Sequence, residues 1–424
     1  MASMMLAVLA AAQFLLALDY SIVYVALPVI ARDLGLSLGA AQWVVSAYAV
    51  PFAGLLIFGG RLADRFGAGR VFLAAMLLFG LSCVTAGLAS SGPVLLGARA
   101  VQGLAGALLQ PAILGLIGAK FEAGPARTRA LSVWGAVGAS GLAAGVVLGG
   151  LLTLYSWRWT FFVNVPVTAG CAAGAAVWLR TTTKADAAGV PLTRTLIATA
   201  TTIALALGLT LGNVPLTAVA VLLGTALIRP VVRLRPRSLR TGSLAAALYM
   251  ASVGSEFYVV TLMLQNRDGY QPLEAGLAFL PLAVLVTVGS SLTERLVRRF
   301  GLTPTLAGGF ATAALGLGLL AATARGTYVI GVLPGLLISG AAHGVIYTAM
   351  FVLGGRDVPA ERQSSAGATM TTAQYLAGAV AVAVLTLPLR DDRYGLAFGL
   401  TAAAAAAGAV VALSGSRTGG AAAR

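Results

Sequence analysis

Arg61–Gly67 reads RLADRFG, and 234 residues further on Arg295–Gly301 reads RLVRRFG. Five of the seven positions match. Each heptad closes one long apolar run and opens the next, so each is a short polar turn between hydrophobic segments. Gly60 and Gly67 suit a tight turn there. Seven residues alone could coincide, but the same place in each half of the chain argues for a duplicated unit. Parallel repeats related by an axis along the membrane normal are a transporter architecture.

The segments flanking these turns read as membrane spans. The 424 residues are 59% hydrophobic and 10% charged, with mean hydropathy +0.93, whereas a soluble domain carries about 25% charged residues. The charges cluster between apolar runs of the ~20 residues needed to cross a hydrocarbon core. Fourteen spans are predicted, at 5–30, 41–59, 71–92, 95–118, 130–154, 159–179, 195–212, 214–232, 242–264, 275–293, 303–322, 327–353, 366–388 and 395–413. No basic residue precedes the first run, which reads as a span and not as a cleaved leader. Cys83 and Cys171 lie in apolar runs with neither disulfide nor metal spacing.

A net charge of +15 would suggest nucleic acid in a soluble protein. In a membrane protein it follows from Lys and Arg collecting in cytoplasmic loops. With the N-terminus inside, Arg32, Arg158, Arg267, Arg325, Arg390 and Arg393 fall outside and Arg99 falls within a span. The other 21 of the 28 basic residues lie inside. One miscounted helix would invert the later loops and erase this asymmetry. The expected fold is therefore an all-α polytopic membrane protein with both termini cytoplasmic. Residues 1–180 and 241–424 form two six-helix halves, and 181–240 is a linker with two additional spans. A substrate site would lie between the halves near the bilayer midplane. Arg outnumbers Lys 26 to 2, which suits a GC-rich bacterial genome and places the chain in a bacterial plasma membrane.

Four stretches carry a family resemblance. LDYSIVYVALP (Leu18–Pro28) resembles the first-helix motif of the fourteen-helix drug:proton antiporter branch of the major facilitator superfamily, with Ser21 and Tyr24 where Thr and Asn are usual. GGRLADRFGAGR (Gly59–Arg70) is similar to the superfamily's loop signature, RAVQG (Arg99–Gly103) to its fourth-helix motif, and SWRWTFFVNVP (Ser156–Pro166) to the segment entering the sixth helix. The branch usually has a proline in its fifth helix where GLAAGVVLGG (Gly141–Gly150) has Val146. Gly141, Gly145 and Gly149 still form one small-residue face for a close helix neighbour. The resemblance implies a multidrug or natural-product exporter working by alternating access. It would be driven by the proton gradient, with no cofactor, metal or nucleic acid, as a monomer in the bilayer.

Within the spans, four ionisable residues stand out, since each costs about 2.5–3.5 kcal/mol at a helix centre unless it is paired or functional. Asp19 and Arg99 are expected at depths ~8 Å apart at 1.5 Å per residue, within reach of each other. They either lock two helices or form a switchable pair. A nearby guanidinium favours an ionised carboxyl and dehydration favours a neutral one, so movement of Asp19 would take up and release a proton. The resemblance assigns the first-helix acid, Arg99 and Gln102 to coupling. Glu256 falls in the first helix of the second half, at the repeat counterpart of Ile22 and one turn from that of Asp19. It either snorkels outward to Arg267 or forms a proton or cation site on the cavity wall. Tyr24, Gln102, Phe257 and Tyr258 are candidate cavity residues, the aromatics suiting lipophilic cations. His343 is a candidate proton relay, or else bonds a neighbouring carbonyl.

Arg61, Asp64, Arg65 and Arg70 form the first turn's charge cluster. It is either plain loop topology or, with Gly60 and Gly67, a cytoplasmic gate, and the second copy has Arg298 where Asp64 stands. RDDRYG (Arg390–Gly395) reads as a solvated turn. No protease or prenyl-transfer constellation and no selectivity filter is present, so a transporter is preferred to an intramembrane enzyme or a channel. A lipid flippase or solute importer on the same fold is the alternative.

Overall fold

The computed structural model describes residues 2–179 and 236–414, together with residues 197, 199–201, 203–204, 207–208, 215 and 219. Twelve helices among the described residues are long and apolar enough to cross a membrane. They are α1 (Ala2–Asp33), α2 (Ala40–Phe66), α3 (Ala68–Gly87), α4 (Gly92–Lys120), α5 (Pro125–Thr153) and α6 (Trp159–Trp178), followed by α7 (Arg237–Arg267), α8 (Leu273–Phe300), α9 (Leu302–Thr323), α10 (Tyr328–Gly355), α11 (Ala360–Leu389) and α12 (Tyr394–Ser414). Helix satisfies every backbone group internally, which lipid requires. The count is twelve and not the fourteen expected. The predicted spans at 195–212 and 214–232 lie outside the described residues, apart from the scattered helical positions given above. The other twelve expected spans correspond to α1–α12 in order.

The chain divides into two compact units. The first gathers Met1–Phe121, Gly141–Leu234 and Pro359–Thr372, and the second gathers Glu122–Ser140, Arg235–Val358 and Ala373–Arg424. Thus α5 and α11 each contribute to both units.

In the first unit α4 packs on α2 and α3, α3 on α6, and α6 on α1. In the second, α10 packs on α8 and α9, α9 on α12, and α12 on α7. Each pairing in one unit recurs in the other six helices later, so the duplication visible in two heptads extends to the packing. Small residues permit the closest crossings. A Cβ on Gly103 would strike the Tyr48 carbonyl of α2, and one on Gly289 would strike the Ala341 carbonyl of α10.

The shared last glycine of the two heptads has a backbone reason. Gly67 and Gly301 have φ of 93° and 87°, a region L side chains rarely enter, and each links two consecutive spans. Gly67→Ala and Gly301→Ala should each cost about 1–3 kcal/mol of backbone strain. Purified in detergent, both variants are expected to have lower thermal midpoints than wild type. Gly97→Ala, where an added Cβ meets nothing within 4 Å, should leave the midpoint unchanged or higher.

Candidate functional site

The first site grows out of α1 and α4. Their apolar faces pack in a core that includes Leu18, Ile22, Val44, Leu95, Ala98 and Phe161, and inside it lie the two charges read from the sequence. Arg99 is 1% exposed and Asp19 fully buried. The Arg99 Nη1 donates to Asp19 Oδ2 at 2.9 Å and to Gln102 Oε1 at 2.8 Å, while its Nε donates to the Val44 carbonyl of α2 at 3.0 Å. The guanidinium lies 4.5 Å from the centre of the Tyr48 ring. The other carboxylate oxygen, Asp19 Oδ1, accepts from Gln102 Nε2 at 2.8 Å and from Asn164 Nδ2 at 3.4 Å. Gln102 Nε2 also lies 3.1 Å from Cys83 Sγ. Four helices thus converge on one carboxylate–guanidinium pair.

One sequence reading changes here, and three partners are new. Gln102, expected on a cavity wall, is fully buried and serves as the third member of the Asp19–Arg99 pair. Asn164, Tyr48 and the Val44 carbonyl were not anticipated, although Asn164 stands in the quoted FVNVP as a lone amide in a span. The rest of that segment closes one end of the unit. Asp33 Oδ2 accepts from Trp157 Nε1 at 2.7 Å and from Arg158 Nη1 at 3.0 Å, and Arg158 Nη2 donates to the Ala89 carbonyl at 3.2 Å.

Gly141, Gly145 and Gly149 face α1. Added Cβ atoms would come within 2.7 Å of the Phe14 carbonyl, 2.7 Å of the Leu18 carbonyl and 2.9 Å of the Ile22 carbonyl. The small-residue face therefore lets α5 rest directly on the helix that holds Asp19. Helix α5 runs unbroken through Val146. Tyr24 is half-exposed, its hydroxyl donating to that of Tyr20 at 3.4 Å.

At the first heptad, Asp64 Oδ2 accepts from the Ser365 N–H at 3.1 Å, in the first turn of the α-helix Gln363–Leu389 within α11. A carboxylate there caps the positive end of a helix. Gly60 lies directly under the same segment, an added Cβ coming within 2.6 Å of Ala368 Cβ. Arg65 and Arg70 are exposed, and Arg61 is half-buried one turn before Asp64. In the second copy, Arg298 is exposed and faces Glu294 at 3.9 Å.

In the second unit Glu256 is fully buried and Ser339 Oγ of α10 donates to its Oε1 at 2.6 Å. It does not reach Arg267, which pairs with Asp268 at 2.6 and 2.9 Å and donates to the Ala324 carbonyl. The snorkelling alternative is thereby removed. His343 does not bond a carbonyl: its Nε2 pairs with the Tyr249 hydroxyl of α7. Phe257 stacks on Phe279, ring centres 4.8 Å apart, and meets His343 edge-on at 6.2 Å. The Tyr258 hydroxyl is 2.8 Å from that of Thr386. Residues 390–393 form a turn, with Asp391, Asp392 and Arg393 exposed, and Tyr394 and Gly395 open α12.

Twelve apolar spans among the described residues, with a repeated helical packing and an acid buried in the first span of each repeat, define a membrane transporter and not an enzyme. The chain belongs to the Major Facilitator Superfamily, whose family model matches residues 9–382. It is 35% identical over 404 residues to the puromycin resistance protein pur8 of Streptomyces alboniger, covering 90% of this chain and 80% of that one. It is also 35% identical over 402 residues to the cephamycin export protein CmcT of Amycolatopsis lactamdurans, covering 88% and 82%. In fold it is similar to the human organic anion transporter MFSD10, with TM-score 0.76 at 15% identity over 97% of this chain and 99% of that one. The chain is a multi-pass protein of the bacterial plasma membrane.

Removing one partner of a buried ion pair costs about 3–5 kcal/mol, because the other charge stays buried and uncompensated. Arg99→Met should therefore lower the thermal midpoint of the purified protein sharply. The double variant Asp19→Asn/Arg99→Met should recover much of the loss, a coupling that a double-mutant cycle on the four midpoints reads directly.

Proposed function

We propose that this protein is a proton-coupled exporter of hydrophobic or cationic drugs or natural products, working by alternating access. The observation that carries this reading is the buried Asp19–Arg99–Gln102 cluster. A carboxylate sealed against a guanidinium exchanges a proton only when the helices around it rearrange, and such an obligatory link between protonation and conformation is what an antiporter needs. The names of the two bacterial relatives, resistance to puromycin and export of cephamycin, support outward transport of antibiotics.

In this reading Asp19 is the coupling carboxylate and Arg99 its counter-charge, with Gln102 and Asn164 holding it in place. Glu256 and His343 take part in proton handling. Tyr24, Phe257 and Tyr258 supply aromatic surface to a cationic substrate. The bond from Ser365 to Asp64 is one state of a cytoplasmic gate that includes Gly60, Arg61, Arg65, Gly67 and Arg70. Both termini are cytoplasmic, residues 181–240 carry two further spans to make fourteen, and the halves are 1–180 and 241–424. The working unit is a monomer in the lipid bilayer. The proton gradient supplies the energy and no cofactor takes part.

Pump-deficient bacteria expressing the protein should accumulate less of a fluorescent lipophilic cation than cells without it. A protonophore should abolish the difference, and Asp19→Asn should abolish it at equal protein level in the membrane. Full, protonophore-sensitive exclusion by Asp19→Asn would refute the coupling role. Raised accumulation by the wild type would point to an importer.

A further inference from the structure

Each unit buries one acid in its first span, but with different partners. Asp19 is held by Gln102, and Glu256 by Ser339; the spacing from Asp19 to Glu256 and from Gln102 to Ser339 is 237 residues in both cases. Both members are displaced by three residues, about one helical turn, from the 234-residue offset of the heptads. The acid and its hydrogen-bond donor have therefore moved together along α7 and α10. At the same spacing the position of Arg99 is taken by Leu336, which is fully buried. The second unit has kept the acid site and dropped its cation.

Among the described residues no cation is supplied to Glu256 from elsewhere. Helix α7 packs against α10 and α12, more lightly against α9, and touches α8 through Phe257 on Phe279 and α11 through Tyr258 and Thr386. The ionisable residues of α8 (Glu274, Glu294, Arg295, Arg298 and Arg299) lie in its first and last two turns. Between their ends, α9 and α12 carry no titratable side chain, and α10 carries only His343 and Tyr347. Away from the span ends, α7 itself also carries Tyr249 and Tyr258, and α11 carries Tyr375. Among the described residues Glu256 Oε2 and His343 Nδ1 have no hydrogen-bond partner. A buried carboxylate with a single hydroxyl donor and no cation is very costly, whereas the neutral acid is not. The cluster extends along the helices. Tyr249 precedes Glu256 by seven residues and His343 follows Ser339 by four, so the Tyr249–His343 pair lies about 6–10 Å beyond Glu256–Ser339 towards the Arg237 end of α7. The intervening turn, Met250–Gly254, is π-helical, a distortion often found at functional sites.

We propose that Glu256 and Ser339 with Tyr249 and His343 form a second proton-binding centre, a two-station one that titrates independently of Asp19. The proposal rests on the proton-coupled reading above and adds a second exchangeable proton to it. Glu256 Oε2 is the first station and takes the proton directly, while Ser339 orients the carboxyl through Oε1. His343 Nδ1 is the second station, its ring fixed by Tyr249. Full burial of Glu256 lets a proton in where a drug-sized cation has no room.

Infrared difference spectra of the purified full chain across a pH titration test this without any substrate. Glu256→Gln should remove one titrating carboxyl C=O band that Asp19→Asn leaves in place. Ser339→Ala should shift the frequency of that band, and His343→Gln or Tyr249→Phe should move its titration midpoint. A Glu256→Gln spectrum superimposable on wild type overturns the centre. So does a band indifferent to both His343→Gln and Tyr249→Phe. If Glu256→Gln does not yield folded protein, the Ser339→Ala shift decides, and its absence counts against the proposal. Proton-driven efflux and its loss in Asp19→Asn are scored separately, so either reading can fail while the other stands.

Discussion

A guanidinium buried inside a membrane span survives only if almost every polar atom around it is accounted for. Arg99 meets that condition with a carboxylate, an amide, a backbone carbonyl and an aromatic face supplied by α1, α2 and α4. The arrangement of the first unit follows from this need. Gly103 lets α4 approach α2 closely enough at Tyr48, next to the Val44 carbonyl that Arg99 uses. The Gly141, Gly145 and Gly149 face lets α5 lie on the stretch of α1 that presents Asp19. Asn164 anchors α6 to the same carboxylate. Displacing any one of these helices leaves a buried charge with fewer partners, which makes the cluster sensitive to conformation as well as stabilising.

The second unit repeats the packing but not the electrostatics. The turns ending at Gly67 and Gly301 share a backbone conformation that only glycine adopts without strain. One turn before the first of them Asp64 caps a helix, while the equivalent Arg298 is exposed and faces Glu294. Likewise Arg99 has no counterpart, and Glu256 relies on Ser339 alone. Duplication supplied the scaffold twice, and the charged positions then diverged. In the first unit a carboxylate is compensated by a fixed cation. In the second, no described residue places a cation beside the acid, and a single hydroxyl donates to it.

Much of this was legible in the amino-acid sequence. Apolar run lengths located the twelve described spans, because lipid leaves a chain no alternative to helix. Asp19 and Arg99 were paired from depth alone, since two opposite charges at similar depth in a bilayer seek each other. What escaped were partners set by rotation about the helix axis. Gln102 reads both as a cavity residue and, by resemblance, as part of the coupling motif, and only the rotation of α4 turns its amide onto Asp19 and Arg99. Ser339 and Tyr249 carry no charge, and no local signal distinguishes a hydroxyl that faces a buried acid from one bonded to its own helix, as Thr401 is to the Phe398 carbonyl. Arg267 looked like a partner for Glu256 because it lies eleven residues along the same helix, but Asp268 and the Ala324 carbonyl hold it at the end of the span.

The central claim is that Asp19 takes up and gives up a proton as the transporter binds its cargo. Proton release by the purified protein in a weakly buffered solution, followed with a pH indicator as tetraphenylphosphonium is added, tests that claim most directly. Wild type should release protons on addition of the cation, and Asp19→Asn should release fewer. Equal release by the two proteins would contradict the account and leave the Asp19–Arg99 pair as a structural lock between α1 and α4.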